Sequence, residues 1–172
     1  MLAKSTWQRE VTILFEADDQ HFTWMLGGAA QTAGLRLPPG GVEERPVIEM
    51  LQRLAARLRA LDRVGIWMIV IDNEVVGLCG QKQAPDSDGT VEIGFGVASS
   101  RRGRGYATRA IAELINIASR DMLVHRLMAE MAVANIASQR VLERNAFVRT
   151  GTRSDPEDGE LIVWHRELAV QG

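Results

Sequence analysis

The residues Arg101-Arg102-Gly103-Arg104-Gly105-Tyr106-Ala107-Thr108 stand between a run of strand-forming residues, Thr90–Ala98, and a run of helical periodicity, Tyr106–Arg120. A helix N-terminus leaves backbone N–H groups without partners and carries the positive end of the helix dipole. Gly103 and Gly105 carry no Cβ, so an anion can come close to those N–H groups. Arg101, Arg102, Arg104 and Arg109 add formal charge at the same spot. The chemistry this suits is a grip on a phosphate or pyrophosphate; a solvated basic turn is the alternative for these residues alone. A dinucleotide-type turn needs a third glycine where Thr108 stands, and it belongs after the first strand of a βαβ unit. The Gly-Lys-Ser/Thr of a nucleotide-hydrolase loop is absent, which disfavours that class.

The elements around this turn follow from periodicity and punctuation. A first strand is expected over Val11–Phe15, then a helix from Asp18-Asp19 to about Ala30 with Phe22, Met25 and Leu26 on one face. Residues 34–46 hold Pro38-Pro39-Gly40-Gly41 and Pro46 and read as a loop. Apolar residues at 47, 51, 54, 58 and 61 give an amphipathic helix over Val47–Leu61. Ile66–Ile71 and Val75–Leu78, joined by Asp72-Asn73-Glu74, predict an antiparallel hairpin spanning 66–83, where Gly77 and Gly80 mark bulges or close packing. After the turn and its helix come a strand over Leu127–Val133, a helix capped by Asn135 and running to about Asn145, and strands over Phe147–Thr152 and Leu161–Leu168. The order β-α-α-β-β-β-α-β-α-β-β combines hairpins with one βαβ crossover. It predicts an α/β (α+β) fold: a mixed, mostly antiparallel central sheet of about six to seven strands flanked by about four helices. No repeat, linker or low-complexity tract divides the chain, so one domain over 1–172 is expected.

Composition bounds the function. A chain of 172 residues with 46% hydrophobic and 24% charged residues is ordinary for one globular domain. A net charge of −2 argues against nucleic-acid binding and makes the arginine-rich turn a local feature. The single cysteine, Cys79, excludes an internal disulfide and suits a reducing compartment. The N-terminal stretch lacks the pattern of a secretory leader, and no apolar run is long enough to span a bilayer, so a cytoplasmic location is expected. His21, His125 and His165 have no metal-ligand spacing, so no metal is expected. Trp7, Trp24, Trp67 and Trp164 read as core or pocket wall.

Two blocks carry a resemblance. Arg102-Gly103-Arg104-Gly105-Tyr106-Ala107, preceded by Glu92-Ile93-Gly94-Phe95-Gly96-Val97, is similar to the Gln/Arg-x-x-Gly-x-Gly/Ala motif of the Gcn5-related N-acetyltransferases (GNAT). Those enzymes move an acetyl group from acetyl-coenzyme A to an amine. Asn135–Phe147 resembles their Asn-x-x-Ser…Glu-Lys-x-Gly-Phe segment, nearest to the RimJ/RimL-like branch that acts on ribosomal proteins. The resemblance covers about residues 64–168. Two positions depart from the pattern. Leu142 stands where many members carry a tyrosine acid, and Ala146 stands where glycine is usual, so the left-handed helix end is expected to shift to Asn145.

The resemblance implies a co-substrate, acetyl-CoA. Backbone N–H groups of Arg102, Gly103, Arg104, Gly105, Tyr106 and Ala107, with Thr108 beside them, would hold its pyrophosphate. Phe95 and Val97 would line a gap between parted strands, with the Val97 N–H facing the thioester oxygen; such a donor is worth about 3 kcal/mol. Asn135 would contact the pantetheine. Glu92 is the implied base, with Glu157 a second candidate, because an amine acceptor with a pKa of about 8–10 arrives protonated. Ser138 is the implied donor to the departing thiolate. The acceptor is expected to be a protein N-terminal amine or a small amine, bound by the first two helices, the 31–46 loop and the turn at 153–160, where Asp155, Glu157, Asp158 and Glu160 could draw a cationic amine. Family members are often dimers, so a homodimer is expected by analogy. Cys79 has no histidine partner evident and is not expected to act as nucleophile. A module that binds acyl-CoA without turnover is the competing class, kept open by Leu142.

Overall fold

A computed structural model describes residues 12–30 and 32–169. Trp7, the leader-type reading of the N-terminus and the expected strand start at Val11 lie outside the described residues. β1 (Ile13–Glu16), α1 (Asp19–Met25), α2 (Arg45–Arg59), β2 (Ile66–Ile71), β3 (Glu74–Gln81) and β4 (Thr90–Val97) come first. A single 3-10 turn, Ser99–Arg101, leads into α3 (Tyr106–Ala118), followed by β5 (Arg126–Ala132), α4 (Ile136–Arg144), β6 (Val148–Asp155) and β7 (Gly159–Glu167). The expected element order and the mixed sheet are present.

The strands form one seven-stranded sheet in the order β1-β2-β3-β4-β5-β7-β6. Only the β4–β5 pair is parallel, and α3 supplies its crossover. All of β2 is buried. Its alternate residues feed two cores because successive side chains leave a strand on opposite faces. Trp67, Ile69 and Ile71 share one buried core with Ile111 and Leu114 of α3 and Leu142 of α4. Ile66, Met68 and Val70 meet α1 and α2 through Phe22, Leu54 and Leu58. Trp164 belongs to the first core, and Trp24 packs partly buried against the second. Gly77 and Gly80 are places of close approach: a Cβ would stand 2.3 Å from the Gly96 carbonyl oxygen at the first and 2.2 Å from that of Gly65 at the second. Among the described residues, no helix is long and apolar enough to cross a membrane.

Several strand and helix ends move by a few residues, and three differences from expectation have a visible physical reason. α1 stops at Met25 rather than Ala30, because Gly27 and Gly28 close it: their N–H groups donate to Trp24 O (2.9 Å) and Thr23 O (2.8 Å), with Gly27 at φ +90°. That is a Schellman ending, which the apolar spacing of Phe22, Met25 and Leu26 does not reveal. α2 begins at Arg45 and takes Pro46 into its first turn, where a missing N–H costs nothing. The left-handed residue after α4 is Ala146 itself (φ +58°), while Asn145 sits at φ −98°. Asn145 is held out of that role by its side chain, whose Nδ2 donates to Val141 O (2.9 Å) and Thr108 O (3.1 Å).

Candidate active site

The pairing of β4 creates the site. On the β3 side, Ala98 N donates to Val76 O (2.9 Å) and Lys82 N donates to Glu92 O (2.7 Å). Antiparallel pairs alternate between bonded and non-bonded. Even-numbered residues of β4 therefore bond toward β3, and Phe95 and Val97 turn their N–H and C=O groups the other way. On that other side, β5 pairs with β4 only as far as Glu92↔Met128. From there the strands part, and the polar groups of Phe95 and Val97 face a gap rather than a neighbour. The Val97 carbonyl accepts from Arg102 Nε (3.1 Å), which ties the gap to the turn that follows.

The turn closes one end of a cleft of about 660 Å³ that runs from the open edge of β4 to the face of α4. Gly103 (φ +77°) and Gly105 (φ +75°) are left-handed, and nothing lies within 4 Å of where either Cβ would be. The glycines are needed for their backbone angles, and the space above them stays open. Among the described residues, no backbone N–H from Arg102 through Thr108 donates to a carbonyl. A run of unpaired donors at the head of a thirteen-residue helix offers the hydrogen bonds and the dipole that an anion would need.

The cations divide by task. Arg101 is committed to Glu74 at the start of β3, donating through Nε (2.6 Å) and Nη2 (3.1 Å), so it anchors the turn rather than offering free charge. That guanidinium holds the Glu74 carboxyl below the usual range. Arg109 Nε donates to Thr12 Oγ1 (2.9 Å), and its guanidinium lies 5.2 Å from the Tyr106 ring centroid. Arg102 and Arg104 line the cleft from the turn, and Arg140 and Arg144 line it from α4. The last two belong to the α4 side of the cleft. Their spacing of four on one helix is the signal that marks them in sequence.

Asn135 caps α4 by accepting from Ser138 N (3.1 Å), and both residues line the cleft. Ser138 Oγ makes no hydrogen bond among the described residues and sits half-buried in the first turn of α4. Leu142 is fully buried and packs in the same core as Phe147. Phe147 N donates to Leu142 O (3.0 Å), so the pair forms the apolar clasp of the Schellman ending at Ala146.

Not every expected residue joins them. Glu92 is the last β4 residue before the gap, but its Oε1 is taken by Lys82 Nζ at 2.5 Å, and it does not line this cleft. Asp155 accepts from Glu157 N (2.9 Å), Asp158 N (3.1 Å) and Arg153 Nη1 (3.0 Å), so the turn between β6 and β7 satisfies itself. Among Asp155, Glu157, Asp158 and Glu160, none lines this cleft. Cys79 is buried, and burial pushes its thiol up to about 12, which leaves no thiolate for nucleophilic attack. His21 is engaged in a capping box with Asp18. Among the described residues, no group of three His, Cys, Asp or Glu side chains converges as metal ligands would.

A second cleft, of about 500 Å³, adjoins the first. Both are lined by Phe95, Gly96 and Glu43. The first two sit on the open strand, and a Cβ at Gly96 would stand 3.4 Å from Glu43 Oε2. The 31–46 loop is expected at the acceptor site, but Glu43 within it has no motif around it, and only the folded chain brings it over β4.

The sequence pattern of the acetyltransferase (GNAT) domain matches residues 13–148, and the chain belongs to that family. It is 40% identical over 84 residues to YjdG of Bacillus subtilis (strain 168), named an uncharacterised N-acetyltransferase; the match covers 48% of this chain and 50% of that protein. The chain thus spans about half the length of that relative. Among solved structures, the fold is similar to RimL, the ribosomal L7/L12 α-N-protein acetyltransferase in complex with coenzyme A. That likeness has a TM-score of 0.72 at 18% identity and covers 92% of this chain and 94% of that one. It is also similar to the aminoglycoside acetyltransferase AAC(6')-Ib in complex with coenzyme A, with a TM-score of 0.67 at 15% identity over 91% and 95% of the two chains. At these identities the structural likeness speaks for the fold alone.

Proposed function

We propose that the chain is an acetyl-CoA-dependent N-acetyltransferase that passes the acetyl group directly to a primary amine. The observation that carries this reading is the open edge of β4 leading into a turn of unpaired amides. The residues fit the co-substrate: consecutive N–H donors and the cations Arg102, Arg104, Arg140 and Arg144 suit a phosphorylated nucleotide. The polar edge of Phe95 and Val97 suits the amide groups of an extended arm. Acetyl-CoA supplies a thioester-activated acetyl group.

The chain's own residues do the rest. The N–H of Val97 points into the gap and donates to the thioester oxygen as charge grows there. The acceptor reaches the site protonated, and a carboxylate has to remove that proton before the nitrogen can attack. Glu92 is assigned this role through an intervening water, because Lys82 occupies one of its oxygens. Ser138 Oγ donates to the departing sulfur, aided by the N-terminal dipole of α4. The products are an acetamide and free coenzyme A thiol: one proton of the ammonium leaves through the base before attack, and a second passes from the nitrogen to the sulfur through the Ser138 hydroxyl, which ends as it began.

The test follows thiol release from acetyl-CoA with a panel of primary amines. Amine-dependent release is expected. Ser138→Ala should lower kcat about tenfold to a hundredfold, and Glu92→Gln about a hundredfold or more. Coenzyme A binding with no thiol release on any amine would overturn the reading in favour of a sensing module. An unchanged kcat in Glu92→Gln would pass the base role to Glu43.

A further inference from the structure

The second cleft is walled by α2 and floored by the sheet where β4 and β5 part. From the acetyltransferase reading above, and from the charge balance of this cleft, we propose that the acceptor is a small primary amine on an uncharged, apolar body. Polycations such as aminoglycosides and polyamines are then poor acceptors.

The cleft holds four charged side chains: Glu43, Arg57, Lys82 and Glu130. Glu130 is taken by Arg153, which reaches it through Nε (3.0 Å) and Nη2 (2.6 Å). Lys82 is taken by Glu92. Among the described residues, Glu43 has no cationic partner; its Oε1 accepts only from Glu44 N (3.1 Å). Glu43 also belongs to both clefts, so an ammonium drawn to it arrives at the junction where the acetyl group is delivered. One unpaired acid beside the reacting centre calls for one ammonium.

The rest of the wall argues against further positive charge. Val47, Met50, Leu51 and Leu54 present an apolar helix face, and Ile93 and Met131 face it from the sheet. Arg57 sits on the same face of α2, two turns beyond Met50, and makes no ion pair among the described residues. A second ammonium would lose its water against the apolar face and meet Arg57. One polar group remains: Gln81 is buried, and its Oε1 has no hydrogen-bond partner. An apolar lining with a few placed polar groups, at this volume, is the usual form of a small-molecule site.

Thiol release would be compared for 2-phenylethylamine, spermidine, kanamycin and a leucine-initiated tripeptide amide, with coenzyme A binding measured by calorimetry in each variant. The parent should favour 2-phenylethylamine by tenfold or more in kcat/KM, about what burying one apolar group contributes. Met50→Glu, at an exposed position, should lower kcat/KM for 2-phenylethylamine about tenfold and leave coenzyme A affinity unchanged. Arg57→Glu should raise the rate with spermidine. Spermidine or kanamycin matching the apolar amine would overturn the proposal. So would a tripeptide that outruns it, or Met50→Glu leaving the ranking intact. Coenzyme A binding without thiol release on any amine would instead remove the acetyltransferase reading beneath it, so the two failures are distinct.

Discussion

A residue's type and its backbone angle can disagree, and at Ala146 they do. Its φ of +58° is a left-handed conformation that costs an alanine about 1–2 kcal/mol. Glycine would remove that cost but give back about 0.4–1 kcal/mol through a freer unfolded chain. The side chain is exposed, so no packing is lost with it. Ala146→Gly should therefore stabilise the protein by about 0.5–1 kcal/mol, read as a Tm higher by about 1–4 °C. A Tm that falls would mean the strain is not relieved at this position. Gly105 gives the mirror experiment. Its φ is +75° and nothing stands within 4 Å of a Cβ, so Gly105→Ala brings the angular cost without a clash. After the same offset from a less free unfolded chain, it should lower Tm by about 1–4 °C and weaken coenzyme A binding, since the turn's amides change direction with it. Equal affinity in the variant would detach this turn from ligand binding.

The elements were legible where a pattern repeats and obscure where a single contact decides. The six buried residues of β2, the helical spacing of α3 and the Asn135 cap are all written in residue type and order. The parting of β4 from β5 is not: Gly94 and Gly96 hint at an opening, but only the last pair, Glu92↔Met128, marks where it starts. The tie between β3 and the phosphate-type turn is equally silent in sequence. Glu74 and Arg101 are twenty-seven residues apart and meet only in the fold. Because Arg101 holds the Glu74 carboxyl below its ordinary value of 4.5, the pair's contribution is complete above that pH. It is lost as pH falls toward the lowered native value. The Tm of the parent should then drop more steeply below pH 4.5 than that of Glu74→Gln, and the two curves should converge in acid. At pH 7 the variant should melt about 2–4 °C lower. Parallel curves across that range would show that the ion pair does not brace the turn.

At the scale of the whole molecule, a chain of net charge −2 gathers cations at one place. Arg102 and Arg104 come from the turn, and Arg140 and Arg144 from a helix that follows a further strand, yet they share one cleft. Asn145 locks these two supports together by donating from the end of α4 to Thr108 O in the first turn of α3. The cleft therefore exists only in the assembled fold, and a ligand that bridges its walls binds the native state alone. Such a ligand at a hundred times its Kd should stabilise the protein by about 2.7 kcal/mol. For a domain of this size that is a Tm higher by roughly 5–10 °C. The four guanidinium groups are screened by salt, with a Debye length that shrinks from about 10 Å at 0.1 M to about 3 Å at 1 M. Coenzyme A at fixed concentration should thus raise Tm less at 1 M sodium chloride than at 0.1 M, and Arg140→Gln with Arg144→Gln should flatten that dependence. A thermal shift indifferent to salt would place the ligand's charge outside this cleft.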